Sequence, residues 1–184
     1  MQQAQQLFLT YDQQQLIRKL NLAHDEQWLY TTMLCRPYRL NRRDGSLQRQ
    51  CGSHWEDANT FGEVMTLLDL VCDSREDRHL AFRWKNMRDF GLMFHRSLLE
   101  EAKDPWAELF DADPEGFRRA CLALGGKPFP QGDEAYAIEF FDGLPIVIQL
   151  WQGDEEFPPN AQVIYSDNFA EGFAAEDRVV AGDI

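Results

Sequence analysis

A chain of 184 residues, 44% hydrophobic and 27% charged, has the composition of a globular protein with a real core, and its length fits one domain spanning residues 1–184. No stretch approaches roughly eighteen consecutive apolar residues, which argues against a membrane-spanning helix, and the start MQQAQQLFLTYDQQQ lacks the basic opening and apolar middle of a secretory signal. A formal net charge of −13 argues against general nucleic-acid binding, because a phosphate backbone demands cations.

From Gln2 to about Leu22 the spacing of Leu9, Leu16, Ile17 and Leu20 predicts one helix. From Trp28 the residues turn to sheet formers. Asp44-Gly45 then reads as a two-residue hairpin turn, which pairs Leu40 with Arg49 and Tyr38 with Cys51. One face of that hairpin carries Tyr38, Leu40, Leu47 and Cys51; the other, with Arg39, Asn41, Arg43, Gln48 and Gln50, is polar and wet. The cluster of Arg36, Arg39, Arg42, Arg43 and Arg49 reads as a solvated sheet face or as a basic binding patch.

Thr60 and Glu63 have the spacing of a capping box, and Phe61, Val64, Met65, Leu68, Val71 and Cys72 form an apolar helical stripe behind it. A helix is predicted over 92–102, followed by a short helical piece through Phe110. Asp113-Pro114 then starts another helix, which buries Phe117, Ala120, Cys121 and Leu124 and stops at Gly125-Gly126. AYAIEFF and LPIVIQLW flank Asp142-Gly143 as a second hairpin. Both of its faces are largely apolar, so it belongs in the middle of a sheet with helices as cover. Gln162 to Tyr165 adds a strand, and AAEDRVVAGDI closes the chain as a helix. The fold class is therefore α+β, an antiparallel sheet built from two hairpins with helices packed on it.

Familiar chemical motifs are few. Cys35, Cys51, Cys72 and Cys121 show no CxxC spacing and read as reduced thiols. Cys51-Gly-Ser-His54 is half of a metal site with no second half in sequence. Gly125-Gly126-Lys127-Pro128 follows a helix, whose C-terminal end repels anions, so it reads as a stop and not a phosphate loop. The acids are more suggestive. Asp133 and Glu134 precede the first strand of the second hairpin, and Asp154, Glu155 and Glu156 follow its second, which brings both groups to one end. Asp167 joins them only if the next strand runs back with a suitable offset. Closely spaced carboxylates suit hard cations or acid–base chemistry, and equally a solvated turn. Trp151 and Phe157 hem that turn and either wall a pocket or plug the core, the plug being the reading that the end of a two-faced strand favours.

LGGKP and GDEAYAIEFFDGLPIVIQLWQGDEEFPPNAQVIYSD together resemble the signature of the uncharacterised prokaryotic domain-of-unknown-function family numbered 3786. Its pattern joins a GGKP-like loop, a Gly-Asp, a Leu-Pro within a strand, a W-x-GDEEFP turn and a strand ending in Asp. Here these are Gly125 through Pro128, Gly132-Asp133, Leu144-Pro145, Trp151 through Pro158, and Asp167, with the likeness densest over 120–167. Ser166 departs from the pattern, which has a more acidic or apolar strand end. The resemblance implies a prokaryotic cytoplasmic protein and brings no activity with it. Two readings stand. The first is a non-enzymatic cytoplasmic domain that binds a protein or small-molecule partner through Trp151, Asp133, Asp154, Glu155, Glu156 and Asp167, with homo-oligomerisation open and no cofactor. The alternative is an enzyme or divalent-cation site using Asp133, Asp154, Glu155, Glu156 and Asp167.

Overall fold

A computed structural model describes residues 2–76, 78, 83–86 and 105–171; the helices expected at 92–102 and at the C-terminus lie outside them. The fold is α+β. The described helices are α1 (Gln2–Phe8), α2 (Gln13–Leu20), α3 (Phe61–Asp73), α4 (Pro105–Asp111) and α5 (Pro114–Ala123), with a 3-10 helix at Asp167–Glu171. Strands β1 (Ala23–His24), β2 (Trp28–Met33), β3 (Arg36–Asn41), β4 (Leu47–Cys51) and β5 (His54–Asp57) form one antiparallel meander in that order. Strands β6 (Trp84–Lys85), β7 (Lys127–Pro128), β8 (Glu134–Phe141), β9 (Leu144–Trp151) and β10 (Asn160–Ser166) form a second sheet, ordered β6-β10-β9-β8-β7. The two expected hairpins thus seed two sheets. The chain divides into two compact units, one of Met1–His79, Phe141–Gly143 and Asn168–Ile184, the other of Leu80–Phe140 and Leu144–Asp167.

In the first unit the expected single helix is two. Thr10 turns the chain by donating from its backbone N–H and its hydroxyl to Leu7 O, at 2.9 and 2.7 Å. Asp12 then caps α2, its carboxylate accepting from Gln14 N and Gln15 N at 2.9 and 3.3 Å. The first hairpin also departs from expectation. Leu40 pairs with Leu47 and Tyr38 with Arg49, because residues 42–46 form a longer loop. In it Gly45 N donates to Asn41 O at 3.0 Å, and Asp44 Oδ1 accepts from Ser46 N. Gly45 has φ +72°, and a Cβ there would stand 2.8 Å from Gln5 O of α1. The register error is two residues, so the faces survive it: Tyr38, Leu40 and Leu47 are buried together.

Helix α3 is buried almost all round, through Val64, Thr66, Leu67, Leu68, Leu70 and Val71. Phe61, predicted within its apolar stripe, is 60% exposed: it sits in the first turn, where side chains lean off the helix end. The capping box does not form either. Thr60 makes no side-chain bond to the α3 backbone, and its hydroxyl donates to Glu63 Oε2 at 3.3 Å instead. Glu63 cannot reach back, because its carboxylate accepts from Tyr38 OH at 2.8 Å and pairs with Arg49 at 3.2 Å.

In the second unit Asp113 caps α5 by accepting from Gly116 N at 2.8 Å. Gly126 N donates to Cys121 O and Gly125 N to Leu122 O, the paired bonds of a glycine helix stop, with Gly125 at φ +70°. Phe117 and Cys121 are buried as expected, whereas Ala120 is exposed and Leu124 half-buried. Trp106 stacks on Phe117, and Phe110 and Tyr136 meet it edge-on. Strand β9 lies in the middle of its sheet and buries residues on both faces, including Leu144, Val147 and Leu150. Helix α4 packs on β9 and β10. All four cysteines are free thiols, and burial pushes Cys72 and Cys121 up to about 12. Among the described residues no helix is long and apolar enough to cross a membrane.

Candidate functional site

Strand β9 ends at Trp151 and β10 starts at Asn160, its register partner. The eight residues between them make a loop whose own sequence dictates its shape. Asp154 Oδ1 accepts from Glu156 N and Phe157 N, both at 2.8 Å, while Asp154 N donates to Phe157 O at 2.9 Å. Gly153 is required by close approach: a Cβ there would lie 2.8 Å from Pro159 Cδ. Pro158 and Pro159 stiffen the exit. Two further carboxylates pin the entrance. Asp133 Oδ2 accepts from Gln152 N at 2.9 Å, and Asp111, at the end of α4, accepts from Gly153 N at 2.8 Å. Asp111, Gly153, Asp154, Glu155, Glu156, Phe157, Pro158 and Pro159 line an open groove of about 540 Å³.

Of the suspected acids, Asp133 and Asp154 are engaged by the loop's own backbone, while Asp154, Glu155 and Glu156 line the groove. The backbone N–H of Phe157 and, next, that of Glu156 hold the Asp154 carboxyl below its ordinary value, so it stays ionised at neutral pH and accepts hydrogen bonds in place of donating a proton. Glu134 is held by Arg118 and by Tyr136 OH, the latter at 3.2 Å. Asp167 is not part of the group. Since β10 runs antiparallel to β9, with Asn160 opposite Trp151 and Tyr165 opposite Ile146, Asp167 lies at the other end of the ladder, about 20 Å along the strand. There its N–H donates to Arg83 O at 2.9 Å. Glu155 and Glu156 are exposed, and Phe157, expected in the core, is 67% exposed. Trp151 is half-buried over Gly132 and does not line the groove.

Among the described residues, no three His, Cys, Asp or Glu side chains come together as a metal set. Cys51 and His54 face each other across β4 and β5, and His54 Nε2 meets Glu56 Oε1 at 2.8 Å. Three of the five arginines are engaged within the chain. Arg42 bonds Gln13 Oε1 and Asp25 O, Arg49 pairs with Glu63, and Arg39 lies between the rings of Trp28 and Trp55.

A family profile described as "Domain of unknown function (DUF3786)" matches residues 12–184. The chain belongs to this family. Neither a curated protein nor a solved structure matches it. The profile covers nearly the whole DUF3786 chain, well beyond the 120–167 stretch on which the resemblance is densest. Sequence reasoning missed Asp111, which lies 42 residues before the glycine it holds; a local pattern carries no sign of such a partner. The aromatic partners of Arg39 were overlooked too, although Trp28 and Trp55 both stand next to strand-forming residues.

Proposed function

We propose that this DUF3786 domain is a non-enzymatic binding module of a prokaryotic cytoplasm, and that the Gly153–Pro159 loop is its contact surface. The partner is a cationic protein segment that carries an apolar side chain. One observation carries the reading: a loop held at its entrance and through its turn by carboxylate-to-backbone bonds presents Phe157, 67% exposed, beside the exposed Glu155 and Glu156. An exposed aromatic on a fixed backbone loses little freedom when it docks. Flanking carboxylates steer a basic segment towards it. The ionised, backbone-bonded Asp154 supports binding over proton transfer, because a general acid needs a carboxyl pushed upward.

The test is an array of short peptides rich in Lys, Arg, Leu and Phe, probed with the intact chain. Wild type should retain a subset of the basic peptides, Phe157→Ser should lose them, and Glu155→Gln with Glu156→Gln should lower retention and its salt sensitivity. Retention of no peptide by wild type, or equal retention by all three proteins, would sink the reading.

A further inference from the structure

The first sheet uses one face for its core and leaves an ordered aromatic array on the other. Leu29, Met33, Leu40 and Leu47 point into the core. By alternation and register, Trp28 and Tyr30 of β2, Arg39 of β3, Gln48 of β4, and Trp55 and Asp57 of β5 share the opposite face. The Arg39 guanidinium lies 4.2 Å from the ring centroid of Trp28 and 4.6 Å from that of Trp55, and Tyr30 is 6.4 Å from Trp55. Nε and Nη2 of Arg39 both donate to Gln48 Oε1, and Gln48 Nε2 donates to Asp57 Oδ1 at 2.8 Å. At the other flank Tyr30 OH donates to Asp25 Oδ2 at 2.7 Å. The rings are half-buried, so part of each still meets water.

Trp, Tyr and Arg dominate the centres of protein–protein contacts, being large, rigid and amphipathic. Here they are already stacked, so docking orders little that is not ordered beforehand. Charge decides the partner. Two molecules that each carry −13 repel over most of their surfaces and can approach only where the local charge is compensated. Across this sheet the order is acid, cation, acid: Asp25, Arg39, Asp57. A half-turn about an axis through Gln48, which lies between Arg39 and Asp57, sets Arg39 of each copy beside Asp57 of the other, which is the self-complementarity that a two-fold contact requires. We propose that this face joins two copies of the chain as an isologous dimer, with Arg39, Trp55 and Asp57 arranged around its axis. The inference does not depend on the Gly153–Pro159 loop.

Sedimentation velocity on the full chain over a wide concentration range tests it. Wild type should show a monomer–dimer equilibrium, and Trp55→Ala should weaken it about tenfold or more. Thr32 is exposed and shares the face by alternation along β2. Thr32→Arg should therefore block the contact with an unchanged far-UV spectrum, which separates loss of the contact from loss of the fold. Phe157→Ser should leave the equilibrium as it is. The proposal fails if wild type is monomeric throughout, if both face variants dimerise like wild type, or if Phe157→Ser abolishes the dimer.

Discussion

Glu63 shows how one buried carboxylate organises its surroundings. It is 5% exposed on α3 and accepts from Tyr38, Arg49 and Thr60. Its removal leaves a phenol and a partly buried guanidinium without their acceptor, so Glu63→Ala should cost about 2–3 kcal/mol by urea titration. Glu63→Gln, which keeps one acceptor oxygen, should cost less. Tyr11 supplies a pH signature at the same scale. Its hydroxyl donates to Asp73 Oδ1 at 2.6 Å, and that bond, then burial, raises its pKa from 10.0 to about 12. A folded-state pKa above the unfolded value makes the contribution complete below about 10 and lost as pH rises towards 12. Tyr11→Phe should therefore lower the urea midpoint at neutral pH and flatten its alkaline fall; an equally steep fall in both proteins would count against this assignment. Tyr38, raised by burial and then by Glu63, contributes in the same direction, so the flattening should be partial.

At the scale of elements, caps separate what a sequence pattern suggests from what a structure uses. Asp113 and Thr60 look equally good before their helices, but only Asp113 bonds a helix N–H with its side chain. Asp113→Ala should cost about 1 kcal/mol, and Thr60→Ala clearly less, because Glu63 keeps its bonds to Tyr38 and Arg49; chemical denaturation of the two variants side by side checks the order. The C-terminus of α3 has no basic residue in its last turn, and α2 supplies one: Lys19 Nζ donates to Cys72 O at 2.7 Å. Helix periodicity found these elements, while their ends were settled by neighbours. The first hairpin was misaligned by two residues for the same reason, since Asp44-Gly45 has the chemistry of a tight turn, yet Gly45 sits against the backbone of Gln5. The second hairpin keeps the two-residue turn that Asp142-Gly143 predicts, and nothing comes within 4 Å of a Cβ at Gly143.

For the whole molecule, charge is the dominant long-range property. With 31 acidic against 18 basic residues, self-repulsion opposes the compact state. Raising NaCl from about 0.01 M to about 0.15 M shortens the screening length from about 30 to about 8 Å. It should therefore raise the melting temperature, measured by calorimetry at neutral pH; a fall over that range would mean that attractive pairs outweigh the net charge. The arginines of the first hairpin, read as a solvated sheet face or as a basic patch, do not all stand free to offset the imbalance at a single place. Arg39, Arg42 and Arg49 each meet different partners, while Arg36 and Arg43 are exposed.

By itself the sequence determined the α+β class, the buried two-faced strand β9, the helix started by Asp113 and stopped by Gly125-Gly126, and the family. Each rests on periodicity, turn chemistry or a signature that neighbouring residues carry among themselves. Only the tertiary structure decided which acids were free. Asp111 and Asp133 are bound to loop backbone from outside the loop, Asp154 is closed on its own turn, and antiparallel pairing carries Asp167 to the far end of β10. Strand direction, register and long-range hydrogen bonds fix those outcomes, and they leave Glu155, Glu156 and Phe157 exposed on the loop.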